Sequence, residues 1–162
     1  MKGWALILGI LLVVTATFGC ISNTQQVNQS GNNTNFSMPE GWELHSMPGE
    51  GTVIWTGSYP RIRIIEMDNK HEFDSKYNQA LHIDNTTYIL KKQNRTIDGI
   101  KVETFWTTDG NSGDIQDEYF FFKNNKYYYV MAWDYTGWDS SKQSEDRQEI
   151  DKAVKTIVST IT

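Results

Sequence analysis

The sequence predicts an α+β fold, one antiparallel sheet with helices packed on it. Three observations carry that reading. Short β-rich runs fill Thr52 to Tyr135, and two-residue turns, Asp98-Gly99 and Asn124-Asn125, join two pairs of them. A single apolar stripe of helical period closes the chain. The order is strands, helix, four strands, helix, which is a meander with added helices rather than alternating βαβ units.

Taken in order, Phe36 to Leu44 opens the domain. Pro39 and Gly41 punctuate it, and Trp42 and Leu44 alternate as in a short strand. Thr52–Thr56 is β-rich. Arg61-Ile62-Arg63-Ile64 alternates strictly, so one face of that strand is apolar and the other basic. Phe73, Tyr77, Ala80 and Leu81 recur at the spacing of one helical stripe, and Asp74 near its start suits the helix dipole. Strands resume at Thr87–Lys92 and at Ile100–Trp106. Thr107–Asp114 reads as a Gly/Asn/Asp loop. Ile115–Lys123 and Lys126–Tyr135 form an aromatic hairpin that is apolar on both faces. Tyr127, Tyr129, Met131 and Trp133 share one face of the second strand, and Tyr128, Val130 and Ala132 share the other. A helix layer on each side is the simplest cover for such a hairpin. In the last helix Ile150, Ala153, Val154, Ile157, Val158 and Ile161 line one face, with Ser144 or Asp146 as the expected cap.

The chain has 162 residues, enough for one domain with a real core but not for two. Its net charge of −5 argues against a nucleic-acid partner. One cysteine excludes a disulfide framework and a multi-cysteine zinc site.

Residues 1–20 stand apart. Lys2 is the only charge before Glu40, and Gly3 to Gly19 is almost wholly apolar. A positive start, an apolar stretch and then small residues make the pattern of an export signal. Thr17-Phe18-Gly19-Cys20 resembles a prokaryotic lipobox, with Thr17 where Leu is usual and Phe18 larger than the usual Ala or Ser. That resemblance implies cleavage before Cys20 and lipidation on it. The alternative is an uncleaved membrane anchor, for which the apolar length just suffices. Either reading places the domain outside the cytoplasm, anchored to the cell membrane. Residues 21–35 are uncharged and rich in Asn, Gln, Ser and Thr. They read as a flexible polar tether with a span of roughly 20 Å, leaving 36–162 as the domain. Asn28, Asn32, Asn35, Asn85 and Asn94 head Asn-x-Ser/Thr sequons and are candidate N-glycosylation sites.

Phe36-x-x-Pro39-x-Gly41-Trp42, the mid-chain helix, the Asp98-Gly99 hairpin, the aromatic strands around Asn124-Asn125-Lys126-Tyr127-Tyr128 and the terminal helix together resemble PsbP-like domains. These include many prokaryotic lipoproteins. The resemblance spans residues 36–162 and implies an αβα sandwich around an antiparallel sheet. It implies a binding or assembly role rather than catalysis.

The search for chemistry points the same way. His45, His71 and His82 lack metal-ligand spacing, and the loop Asp109–Asp114 misses the calcium-loop pattern at its fifth, sixth and twelfth positions. No nucleophile motif or phosphate loop occurs. The adjacent acids Asp117-Glu118 and Glu145-Asp146 are badly placed to act as acid/base pairs. We therefore expect no enzyme, cofactor or metal. The expected function is a membrane-tethered, extracytoplasmic binding or assembly domain that meets a protein partner at the envelope through an acidic, aromatic-rich face. The alternative is a carbohydrate- or small-ligand-binding module. Trp138, Tyr135 and Trp133, at the exit of the last strand, are the candidate contacts for either.

Overall fold

The computed structural model describes residues 34–45, 51–81 and 87–162. In chain order the elements are β1 (Glu43–His45), β2 (Thr52–Trp55), β3 (Arg61–Met67), α1 (Lys70–Leu81), β4 (Thr87–Ile97), β5 (Ile100–Asp109), β6 (Ile115–Lys123), β7 (Lys126–Asp134) and α2 (Ser140–Thr160). The strands form one seven-stranded antiparallel sheet in the order β1-β2-β3-β7-β6-β5-β4. This is the α+β architecture that the sequence pattern predicts.

Two tight hairpins set the register of the long strands. Asp98 and Gly99 have φ of 48° and 79°, and Asn124 and Asn125 have φ of 51° and 63°. Positive φ at both central residues gives the turn whose twist matches paired strands, and Asn and Asp tolerate it better than other side chains. Phe120 then faces Tyr129, and Phe121 faces Tyr128. Both pairs stack, with ring centroids 4.9 and 5.0 Å apart, on opposite faces of the sheet.

Each face has its own core. α2 lays Ile150, Ala153, Val154, Ile157 and Val158 on Ile62, Ile64, Tyr119, Phe121, Tyr128 and Val130. Phe36 and Trp42 join this larger cluster. On the other face α1 packs Phe73, Tyr77 and Ala80 on Phe105, Phe120 and Tyr129. Fully burying one such side chain is worth about 1.5–3 kcal/mol. α1 buries no residue completely, so the two layers are unequal.

Three expectations shift. The last helix starts at Ser140, with Asp139 as its cap, not at Ser144 or Asp146. Asp139 accepts hydrogen bonds from the Ser141 and Lys142 amides, the usual capping role. β5 continues to Asp109, so the loop is shorter than 107–114. Packing also begins before Phe36. Thr34 is buried and its hydroxyl donates to Glu66, while the Asn35 carbonyl accepts the Thr162 amide. Composition alone assigns those two residues to the tether. Residues 1–33 lie outside the described residues. Among the described residues no helix is long and apolar enough to cross a membrane.

Candidate functional site

α1 covers only half of its face. It lies over the end of the sheet that carries the two hairpins, where Phe73 meets Phe120 and Tyr127 and Tyr77 meets Phe105 and Phe120. The Tyr77 hydroxyl donates to Glu103 at 2.5 Å and accepts from Lys92 at 2.7 Å, which fixes the helix across the sheet. Toward the opposite end, by the 109–114 loop, neither α1 nor α2 covers this face.

The strand period decides what lies there. Arg61 and Arg63 of β3 pair with Trp133 and Met131 of β7, and Trp55 of β2 pairs with Arg61. All project to the same side. The Arg61 guanidinium lies 5.2 Å from the Trp55 ring centroid and 4.5 Å from that of Tyr59. Arg63 lies 5.6 Å from Trp133. Tyr59 meets Tyr135 edge-on at 4.4 Å, and His45 meets Trp55 at 3.9 Å. The Tyr59 phenol is raised above its ordinary pKa, first by its hydrogen bond to Tyr135 and then by burial. The result is a continuous arginine–aromatic surface across β2, β3 and β7.

Beside it lies a shallow groove of about 410 Å³, with Trp133, Tyr135, Arg63 and Gln116 among its lining. Glu118 pairs with Met131 across the sheet. It is 9% exposed, and burial raises its carboxyl, opposed by hydrogen bonds from Gln116 and Tyr129. The loop acids are committed to the backbone. Asp109 accepts from the Asn111 and Ser112 amides, and Asp114 accepts from the Gly137 amide.

Of the three aromatic candidates, Trp133 and Tyr135 come together at this groove, and Tyr135 is 59% exposed. Trp138, 65% exposed, sits apart, because Gly137 (φ 58°) turns the chain and lays the indole over Gly113. The surface also differs from the expected acidic face: arginines, not carboxylates, lie over the rings. The alternation of Arg61 and Arg63 was legible as a basic strand face. What no local pattern shows is that β3 pairs with β7, whose paired residues are 60 to 72 positions away in the sequence. Asn94 is exposed on the edge strand β4, and Asn35 is half-buried. Cys20, Asn28, Asn32 and Asn85 lie outside the described residues. Among the described residues no three His, Cys, Asp or Glu side chains gather where they could hold a metal ion.

No family model matches the chain, and no curated protein does. A solved structure does. The solution structure of cyanobacterial PsbP (CyanoP) from Synechocystis sp. PCC 6803 superposes with a TM-score of 0.52 over 88% of this chain and 96% of that one. The fold is PsbP-like. At 12% identity the likeness is one of backbone architecture. The PsbP-like sheet and its two helices therefore account for the scaffold, while the arginine–aromatic surface is read from this chain's own side chains.

Proposed function

We propose that this chain is a membrane-tethered, extracytoplasmic, non-catalytic binding or assembly domain whose open sheet face meets a protein partner at the envelope. The observation that carries the reading is the stacking of Arg61 and Arg63 on Trp55, Tyr59 and Trp133. Arg, Trp and Tyr are the residue types that dominate binding energy at protein interfaces. Guanidinium groups already cover ring faces that a sugar would stack on. The apolar stretch before Cys20 supports the tether. Thr34, where the described chain begins, bonds to Glu66 near the far end of β3 from Arg61. That strand is about 20 Å long, so Thr34 lies at one end of the sheet and the open face at the other.

A photo-cross-linker at position 135, in cells that make the full-length chain, tests the reading. One envelope protein should be captured, and Arg61→Ala with Trp133→Ala should abolish capture. Cys20→Ser should release the protein from the membrane fraction. The groove at Trp133 and Tyr135 favours a second reading, a carbohydrate- or small-ligand-binding module. Retention on a polysaccharide column, lost in Tyr135→Ala, with no protein captured, would select it.

A further inference from the structure

A second concavity lies on the other face, between α2 and the β4–β5 edge of the sheet. It encloses about 540 Å³, within the range of small-molecule pockets. Trp106 lines it from the sheet, and Ser140, Ser144, Gln148, Lys152 and Lys155 line it from the helix.

Its polar groups are unevenly satisfied. Asp151 is engaged by Arg95 on one oxygen and by Lys155 at 3.0 Å on the other. Arg147 is held by Asp117 and the Thr107 carbonyl. By contrast, the Trp106 Nε1–H is buried with no acceptor among the described residues. A buried donor left without an acceptor costs about 1–3 kcal/mol. Among the described residues Lys152 pairs only with Glu40, at 4.0 Å, with both side chains highly exposed, a contact of little energy. The donors open to solvent are those of Lys152 and Lys155.

The charge agrees. Lys91 lies 4.6 Å from the Trp106 ring centroid and Arg147 lies 5.8 Å from it. With Arg95, Lys152 and Lys155 these cations number five, against the three carboxylates paired with them among the described residues, Asp117, Asp151 and Glu40, on a chain whose net charge is −5. The exposed Glu145 and Glu149 of the same helix are outside the lining. A local excess of positive charge in a concave site concentrates anions. The indole edge and the lysine stems supply apolar wall.

We propose that this groove binds a small organic anion, a carboxylate or phosphate monoester joined to a flat apolar group. The anion meets Lys152 and Lys155, and the flat part lies against the Trp106 ring. The site is separate from the arginine–aromatic surface.

The test is an NMR titration of full-length protein in detergent micelles, labelled at the indole nitrogens, with phenyl phosphate as the probe. Trp106→Phe identifies the Trp106 indole signal. A saturable shift of that signal is expected. The double variant Lys152→Gln/Lys155→Gln should weaken binding about tenfold or more, or about 1.4 kcal/mol. Both lysines are more than half exposed, so that variant keeps the fold. Three results would overturn the proposal: no saturable shift up to about 10 mM, equal binding in the double variant, or equal binding of neutral phenyl glucoside. Inorganic phosphate binding as well as phenyl phosphate would remove the flat group from the assignment.

Discussion

Arg147 of α2 donates from Nε to both carboxylate oxygens of Asp117 on β6, at 3.2 and 3.0 Å, inside the core. Its terminal nitrogen donates to the Thr107 carbonyl at 2.6 Å and to the Thr108 hydroxyl, and the Thr107 amide donates to Asp117. One ion pair thus ties α2 to β5 and β6. Burial pushes the Asp117 carboxyl up to about 6, against the lowering effect of Arg147. Desolvation therefore outweighs the attraction.

The consequence is asymmetric. Arg147→Met leaves a buried carboxylate with its partner gone, and Asp117→Ala leaves a buried guanidinium. Each single change should cost about 3 kcal/mol in urea unfolding. The double variant, apolar on both sides, should recover most of that loss. Additive losses in the double variant would show that the pair itself is strongly favourable.

Asp134, at the end of β7, faces Asp146 of α2. Its carboxyl is pushed up to about 6, first by burial and then by the Asp146 charge, with the Tyr135 amide and Lys142 opposing. A raised carboxyl holds its proton more tightly in the folded state than in the unfolded state. Its contribution is therefore favourable below the ordinary value of 3.8 and is lost as pH rises through about 6. Asp117 acts in the same direction. Asp134→Asn should raise Tm at pH 7 and flatten the fall in Tm between about pH 4 and 6. Thermal melts across that range check it, and a lower Tm at pH 7 would contradict it.

Asp139 accepts from the amides of Ser141 and Lys142 at 3.0 and 3.1 Å. Asp139→Ala should cost about 1 kcal/mol. Ser144 is exposed and inside the helix, so Ser144→Ala should stay within about 0.5 kcal/mol. Paired denaturation curves separate the two. The reverse order would place the helix start where the sequence pattern alone puts it.

These residues also show where sequence reading stops. Turn chemistry and strand period sufficed for the Asn124-Asn125 hairpin, the two-faced β7 and the α2 stripe, because each depends on neighbours within a few residues. The cap was misjudged because Asp139 and Asp146 are both good cap residues, and only the tie of Gln143 to the Gly113 and Gly137 carbonyls settles the helix start. The Arg147–Asp117 pair joins positions thirty residues apart. On sequence alone Asp117 reads as half of an adjacent acid pair with Glu118. The pleat sends those two carboxylates to opposite faces, and each finds its partners elsewhere. The candidate surface was half legible for the same reason. Trp133 and Tyr135 lie at one strand exit, whereas Trp55, Tyr59 and the arginines come from β2, β3 and the turn between them.

Gly113 supplies the last test. Its φ is 78°, and a Cβ there would lie 2.7 and 2.8 Å from the Gly137 carbonyl carbon and oxygen and 2.8 Å from Cδ2 of Trp138. Its own carbonyl accepts from Gln143 at 2.6 Å and from the Thr136 hydroxyl. Gly113→Ala must therefore adopt a left-handed conformation and also displace backbone that cannot yield without breaking those bonds. The first effect costs about 1–2 kcal/mol and the second about as much again. Gly99 has nearly the same φ, 79°, with nothing near its missing Cβ. Gly99→Ala should then show the conformational cost alone, about 1–2 kcal/mol. The difference between the two variants isolates the packing of the 109–114 loop on the turn that carries Trp138. Only Gly113→Ala should also change the near-UV circular dichroism of the tryptophans. Equal costs for the two variants, with unchanged spectra, would mean that the two loops are not in contact.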